Sequence, residues 1–133
     1  MIQTVLFVCT GNICRSPLAA SLLERALKER GLEVAVTSAG TGAWDGAPAS
    51  EGAYLVGLER GLDLSGHRAR VDELGGEGKV SVLGEYAGRG GDEVSDPFGG
   101  DLGVYRDTCQ ELESLTAAVA DRLAAESKRG DQR

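Results

Sequence analysis

Strand and helix patterns alternate along the chain and predict an α/β fold, a three-layer sandwich in which a short parallel sheet is flanked by helices. The apolar run Thr4-Val5-Leu6-Phe7-Val8 has the β-branched and aromatic make-up of a strand buried on both faces. Leu18, Leu22, Ala26 and Leu27 follow at helical spacing. Val34 and Val36 then alternate within residues 33–38 as a second strand, which closes a right-handed βαβ unit. At 133 residues the chain has room for one domain with its own hydrophobic core.

Each element has a local reason. Ser16 is placed to cap the first helix, Pro17 suits its first turn, and Gly31 stops it. Residues 48–60 read as a second helix interrupted by Gly52 and Gly57. Lys79-Val80-Ser81-Val82-Leu83 reads as a third strand, and a glycine-rich loop occupies residues 84–103. The last helix, from Leu102 to about Ala125, carries Tyr105, Cys109, Leu112, Val119 and Leu123 on one stripe, where Cys109 is a small core residue. Residues 1–126 form a single domain, and residues 127–133 form a polar C-terminal tail expected to fray.

Composition removes several classes. Fourteen basic against 21 acidic residues give a formal charge of −7, which leaves no basic stripe for nucleic acid. No apolar run is long enough to span a bilayer, and Met1-Ile2-Gln3 lacks the start of a signal peptide, so a cytoplasmic protein without membrane partners is expected. Three cysteines and no Cys-x-x-Cys pair argue against a disulfide scaffold. A zinc site would have to combine Cys9, Cys14, Cys109 and the single His67, and no metal is expected. The 20 glycines, about 15% against a usual ~7%, demand particular places.

The loop Cys9-Thr10-Gly11-Asn12-Ile13-Cys14-Arg15-Ser16 joins a strand's carboxyl end to a helix's amino end. Backbone N–H groups of such a loop converge on one spot, and the helix dipole adds partial positive charge there, a cradle for a tetrahedral dianion. Arg15 offers a planar fork for two phosphate oxygens. A cysteine at the bottom of the cradle feels the same field, which favours the nucleophilic thiolate. The loop lacks the Gly-Lys-Ser/Thr ending of a nucleotide-binding loop, so nucleotide hydrolysis has no support.

Cys-x5-Arg-Ser is the pattern of cysteine-dependent phosphatases. The longer Val-Cys-Thr-Gly-Asn-Ile-Cys-Arg-Ser-Pro resembles the low-molecular-weight protein tyrosine phosphatase family, bacterial branch, close to the protein arginine phosphatases. Thr37-Ser38-Ala39-Gly40-Thr41, Leu64-Ser65-Gly66-His67-Arg68-Ala69-Arg70 and Asp96-Pro97-Phe98-Gly99-Gly100 match family motifs in order. The resemblance implies hydrolysis of a phosphorylated protein substrate, phosphotyrosine foremost, through a cysteinyl-phosphate and without a cofactor. Cys9 is implied as nucleophile, Arg15 as holder of the equatorial oxygens, and Asp96 as general acid and then base. Thr10, Gly11, Asn12, Ile13, Cys14, Arg15 and Ser16 are implied as the phosphate-binding loop, with Ser16 hydrogen-bonding the thiolate as well as capping the helix. Asn12, Ser38 and His67 match a network that props the loop from behind. Asn12 also suits the left-handed backbone of a tight anion nest.

Trp44 and Phe98 match substrate-facing positions, Trp44 as an aromatic wall, and Ile13 supplies an apolar floor. The position of Ile13 resembles threonine in protein arginine phosphatases, and isoleucine cannot give that hydroxyl contact, which favours phosphotyrosine. The block from Glu85-Tyr86 to Asp96-Pro97-Phe98-Gly99-Gly100 resembles the arginine-phosphatase branch equally, so that substrate stays open. Arsenate reductases share the loop but use further downstream cysteines, and residues 15–108 contain none. Cys14 reads either as a redox partner that shields Cys9 through a reversible disulfide or as a small buried residue.

One departure stands out. The family has four strands, with another strand and helix between the Ser-Gly-His-Arg block and the strand at 79–83. Here only residues 69–78 intervene, too few for a crossover unit. Three explanations stay open: a deletion form with a three-stranded sheet, a homo-oligomer pairing through the missing-strand region, or residues omitted from this chain. The competing functional class is a phosphate- or phosphopeptide-binding module in which Asp96 has shifted away from Cys9.

Overall fold

A computed structural model describes residues 3–71, 83–88 and 94–131. The elements run β1 (Thr4–Cys9), α1 (Arg15–Glu29), β2 (Ala35–Gly40), α2 (Glu51–Glu59), α3 (Leu83–Tyr86) and α4 (Leu102–Asp131). Strands β1 and β2 are parallel and pair from Thr4 opposite Ala35 to Cys9 opposite Gly40, with α1 as the crossover. The α/β class holds.

The register carries a consequence for the site. Both strands extend past their apolar runs, so that the sheet ends on Cys9 and Gly40 side by side. Beyond it, Gly40 N donates to Arg70 O at 2.9 Å, and a parallel bridge joins Gly40 to Val71. The stretch around Arg70 therefore lies along β2 on the side away from β1, and among the described residues no strand covers the opposite edge of β1.

Helix α1 packs on both strands, α4 packs on α1, and α2 packs on α4. Val5 and Phe7 of β1 contact a cluster built by Leu23 and Leu27 of α1 with Val119 and Leu123 of α4. A second cluster lies at the site end, where Cys14, Leu18, Leu22, Ala53, Tyr105 and Cys109 meet. Leu18, Leu23, Leu27, Leu112 and Leu115 are fully buried, each contributing about 1.5–3 kcal/mol of hydrophobic stabilisation.

Several expectations are corrected. The residues of β1 are at most partly buried, with Thr4 exposed and Val5 to Cys9 of intermediate exposure. The second helix starts at Glu51, where the Ser50 hydroxyl accepts from Ala53 N, and it runs through Gly52 and Gly57 unbroken. Those glycines let neighbours approach: a Cβ at Gly52 would collide with the Tyr105 ring, and one at Gly57 would touch Leu62 and Leu64. The strand expected at 79–83 lies outside the described residues except for Leu83, which opens α3. Helix α4 runs to Asp131, into the segment read as a tail, and Asp101 caps its start by accepting from Val104 N at 3.0 Å. None of the described helices is long and apolar enough to cross a membrane.

Candidate active site

The phosphate loop turns on Asn12, the only described non-glycine residue with positive φ, at 54°. That left-handed conformation aims Asn12 N–H back at Cys9, whose Sγ it reaches at 3.2 Å. Ser16 Oγ lies 3.0 Å from the same sulfur. Asn12 N–H is the donor to that sulfur, because the single Ser16 hydroxyl proton goes to Asn12 Oδ1.

Ser16 does not cap α1, contrary to the first of its two expected roles. The helix begins at Arg15, its N-cap position is Cys14, and no side chain caps it. The Ser16 hydroxyl is buried and donates instead to Asn12 Oδ1 at 2.8 Å. First-turn amides left without a side-chain partner are the groups an oxyanion binds.

The supporting network forms. Asn12 Nδ2 donates to Ser38 O at 3.4 Å, and His67 Nε2 lies 2.6 Å from Asn12 O. Both contacts use backbone carbonyls, Ser38 through its main chain, and His67 holds the carbonyl of the residue that makes the left-handed turn. Gly40 contributes too: a Cβ there would sit 2.7 Å from Thr10 O and 3.0 Å from Asn12 N, so only glycine lets β2 end against the loop. Thr41 N and Gly42 N then donate to Cys9 O at 3.1 Å and Thr10 O at 2.9 Å.

Arg15 and Asp96 meet at the mouth. Arg15 Nη2 lies 3.7 Å from Asp96 Oδ2, and Nη1 donates to Val94 O at 3.2 Å. The Asp96 side chain is 53% exposed, while its Oδ1 accepts from Phe98 N at 3.1 Å, a turn that fixes the carboxylate beside the buried Pro97. The contact brings Asp96 to the arginine that opens the helix after the Cys9 loop.

Trp44 is 85% exposed on the loop that Thr41 and Gly42 anchor, and Phe98 is 66% exposed two residues from Asp96. Ile13 is partly buried and packs against the site-end core, so it is less a free floor than expected. Cys14 is buried with its Sγ 3.1 Å from Ser50 Oγ and 3.5 Å from Tyr105 OH, and Cys109 is fully buried in α4. Ser50, Tyr105, Gly40 and Val94 escaped the sequence reading. Ser50 carried a signal as the residue before Glu51, whereas Tyr105 is indistinguishable from any core residue of its stripe.

A parallel strand–helix unit whose connecting loop turns the Asn12 amide back onto a cysteine, with an arginine at the helix entrance, has the layout of a cysteine-dependent phosphatase. The family model for low molecular weight phosphotyrosine protein phosphatase matches residues 4–74. The chain is 36% identical to a protein-arginine-phosphatase of Geobacillus stearothermophilus over 146 aligned positions, covering 92% of this chain and 97% of that protein. It is 33% identical to the probable low molecular weight protein-tyrosine-phosphatase EpsP of Ralstonia solanacearum, covering 94% and 99%. The solved structure of the YwlE arginine phosphatase from Geobacillus stearothermophilus superposes with a TM-score of 0.85 at 32% identity, covering 95% of this chain and 96% of that one. This chain belongs to the low molecular weight phosphotyrosine protein phosphatase family.

The same alignment measures the shortfall. Because 92% of 133 residues is about 122, about 24 of the 146 aligned positions have no residue here. That is roughly the length of one strand, one helix and their loops, and the family-model match stops at residue 74, beside the shortened segment.

Proposed function

We propose that this chain hydrolyses phosphotyrosine in protein substrates through a cysteinyl-phosphate. Cys9 thiolate attacks phosphorus as the phosphorus–oxygen bond to the leaving phenol breaks. Protonated Asp96 gives its proton to that oxygen. In the second half, Asp96 carboxylate takes a proton from water as the water oxygen attacks phosphorus, and the phosphorus–sulfur bond breaks to restore the thiolate. Arg15 and the loop amides hold the three equatorial oxygens throughout, where charge stabilisation rather than covalent chemistry lowers the barrier. The carrying observation is that Arg15 touches Asp96 while opening the helix that follows the Cys9 loop.

Trp44 and Phe98 support a flat aromatic substrate, since both rings are exposed and Phe98 N bonds the Asp96 carboxylate. Phosphoarginine is the second reading, favoured by the name of the Geobacillus relative. Three unpaired cysteines, Cys9, Cys14 and Cys109, accord with a reducing cytoplasmic setting.

Turnover of an aryl phosphate by wild type, Cys9→Ser and Asp96→Ala tests the assignment. Complete loss in Cys9→Ser and a fall of about 10²–10⁴-fold in Asp96→Ala are expected. Phosphate binding by wild type without turnover would establish a binding module instead. Paired phosphotyrosine and phosphoarginine peptides decide the substrate, and preference for phosphoarginine overturns the role given to Ile13 and Trp44.

A further inference from the structure

We propose that Ser50 and Tyr105 form a positioning pair, joined in a hydrogen-bonded ring with Cys14, that holds the Ile13 and Cys14 half of the phosphate loop against α2 and against the base of the segment carrying Asp96. The inference rests on the phosphatase reading of the loop.

The ring closes by donor and acceptor count. Tyr105 OH donates to Ser50 Oγ at 3.3 Å. Ser50 has one hydroxyl proton, and Cys14 Sγ lies 3.1 Å away to receive it. The Cys14 thiol in turn has Tyr105 OH at 3.5 Å. Each member gives one proton and receives one, and Ser50 Oγ keeps a lone pair for Ala53 N at the start of α2. Ser50 N donates to Ile13 O at 2.9 Å, so one residue grips the loop through both its backbone and its side chain.

The ring joins three parts of the chain that sequence keeps apart. Cys14 stands at the entrance of α1, Ser50 caps α2, and Tyr105 lies in the first turns of α4, just after the segment with Asp96. Tyr105 N donates to Asp101 O at 3.2 Å, which ties its backbone to the end of that segment. Gly52 has no Cβ, and this allows the Tyr105 ring to lie directly on α2 and point its hydroxyl at Ser50. Tyr105 and Cys14 are each 4% exposed, so their side of the ring is shielded from water, while Ser50 is half-buried. Neither Ser50 nor Tyr105 meets the reacting atoms, and both act through the position of the loop amides.

Tyr105→Phe removes the hydroxyl while keeping the ring against Gly52, and Ser50→Ala removes the shared partner. Amide NMR titration with inorganic phosphate reads loop geometry without catalysis. Because misplacement by ~1 Å in such a site costs on the order of a hundredfold, each variant is expected to bind phosphate about tenfold more weakly, with kcat/KM for an aryl phosphate falling in parallel. Ser50→Thr, which keeps the hydroxyl, is expected to recover most of the affinity. The double variant Ser50→Ala with Tyr105→Phe should be no worse than the weaker single one, since both break one ring. Phosphate affinity within twofold of wild type in folded Tyr105→Phe or Ser50→Ala, even with a lowered melting temperature, overturns the proposal. Should Tyr105→Phe fail to fold, Ser50→Ala against Ser50→Thr carries the same decision. Wild type that binds phosphate without turnover defeats the phosphatase reading alone, because the affinity comparison stands without catalysis.

Discussion

Asn12 concentrates the demands of the phosphate loop in one residue. Its backbone takes the left-handed turn that returns an N–H to Cys9, its amide nitrogen reaches Ser38 O, and its amide oxygen receives Ser16. Alanine at this position loses both side-chain bonds and meets a left-handed penalty of about 1–2 kcal/mol. Glycine loses the bonds but not the turn. Asn12→Ala should therefore melt lower than Asn12→Gly, and both should lose turnover because Ser16 and the loop amide are no longer held. Melting curves and aryl phosphate kinetics of the two variants check this, and equal melting temperatures would remove the backbone part of the argument. The members of this network were legible as Asn12, Ser38 and His67, though Ser38 takes part through its carbonyl. That His67 acts on a carbonyl was not, because sequence does not say which atom a ring nitrogen faces.

Helix α2 shows how glycine serves packing between elements. Its glycines read as interruptions because glycine lowers helix propensity by about 1 kcal/mol relative to alanine. Packing against α4 outweighs that cost, since Gly52 is where the Tyr105 ring rests. Gly52→Ala raises intrinsic helix propensity yet is expected to destabilise the protein by about 1–3 kcal/mol, because the added carbon collides with a buried ring in a filled core. Denaturant unfolding measures the sign, and a stabilised Gly52→Ala protein contradicts the packing account. The same substitution moves Tyr105 and should weaken phosphate binding as Tyr105→Phe does. Helix α1 teaches the converse: Ser16 carries the composition of a cap, but the folded loop draws its hydroxyl to Asn12 and leaves the first-turn amides for an anion.

At the scale of the molecule, buried titratable groups set the response to alkali. Burial pushes the Cys109 thiol and the Tyr86 and Tyr105 phenols up from their ordinary values. Each stays protonated in the fold at a pH where the unfolded chain has begun to ionise, so the unfolded state binds fewer protons and stability falls as pH rises. The decline should begin near the ordinary cysteine value of about 8.5 and steepen near the tyrosine value of about 10. Melting temperatures from pH 7 to 11 measure it. Cys109→Ala should melt lower at pH 7 for lost packing but show a shallower first decline, and an unchanged slope removes Cys109 from the account. By itself the sequence determined the βαβ unit, the phosphate loop and its family, and the internal shortening. Apolar periodicity, a fixed motif spacing and chain length are local or one-dimensional properties, readable without coordinates. Tertiary structure decided which atoms the motif residues engage, that Arg15 meets Asp96, and that Cys14, Ser50 and Tyr105 close a ring. Those outcomes depend on the register that ends β1 and β2 at Cys9 and Gly40 and on α2 lying against α4. Contacts between residues far apart in the chain are set by that packing, which no local pattern encodes.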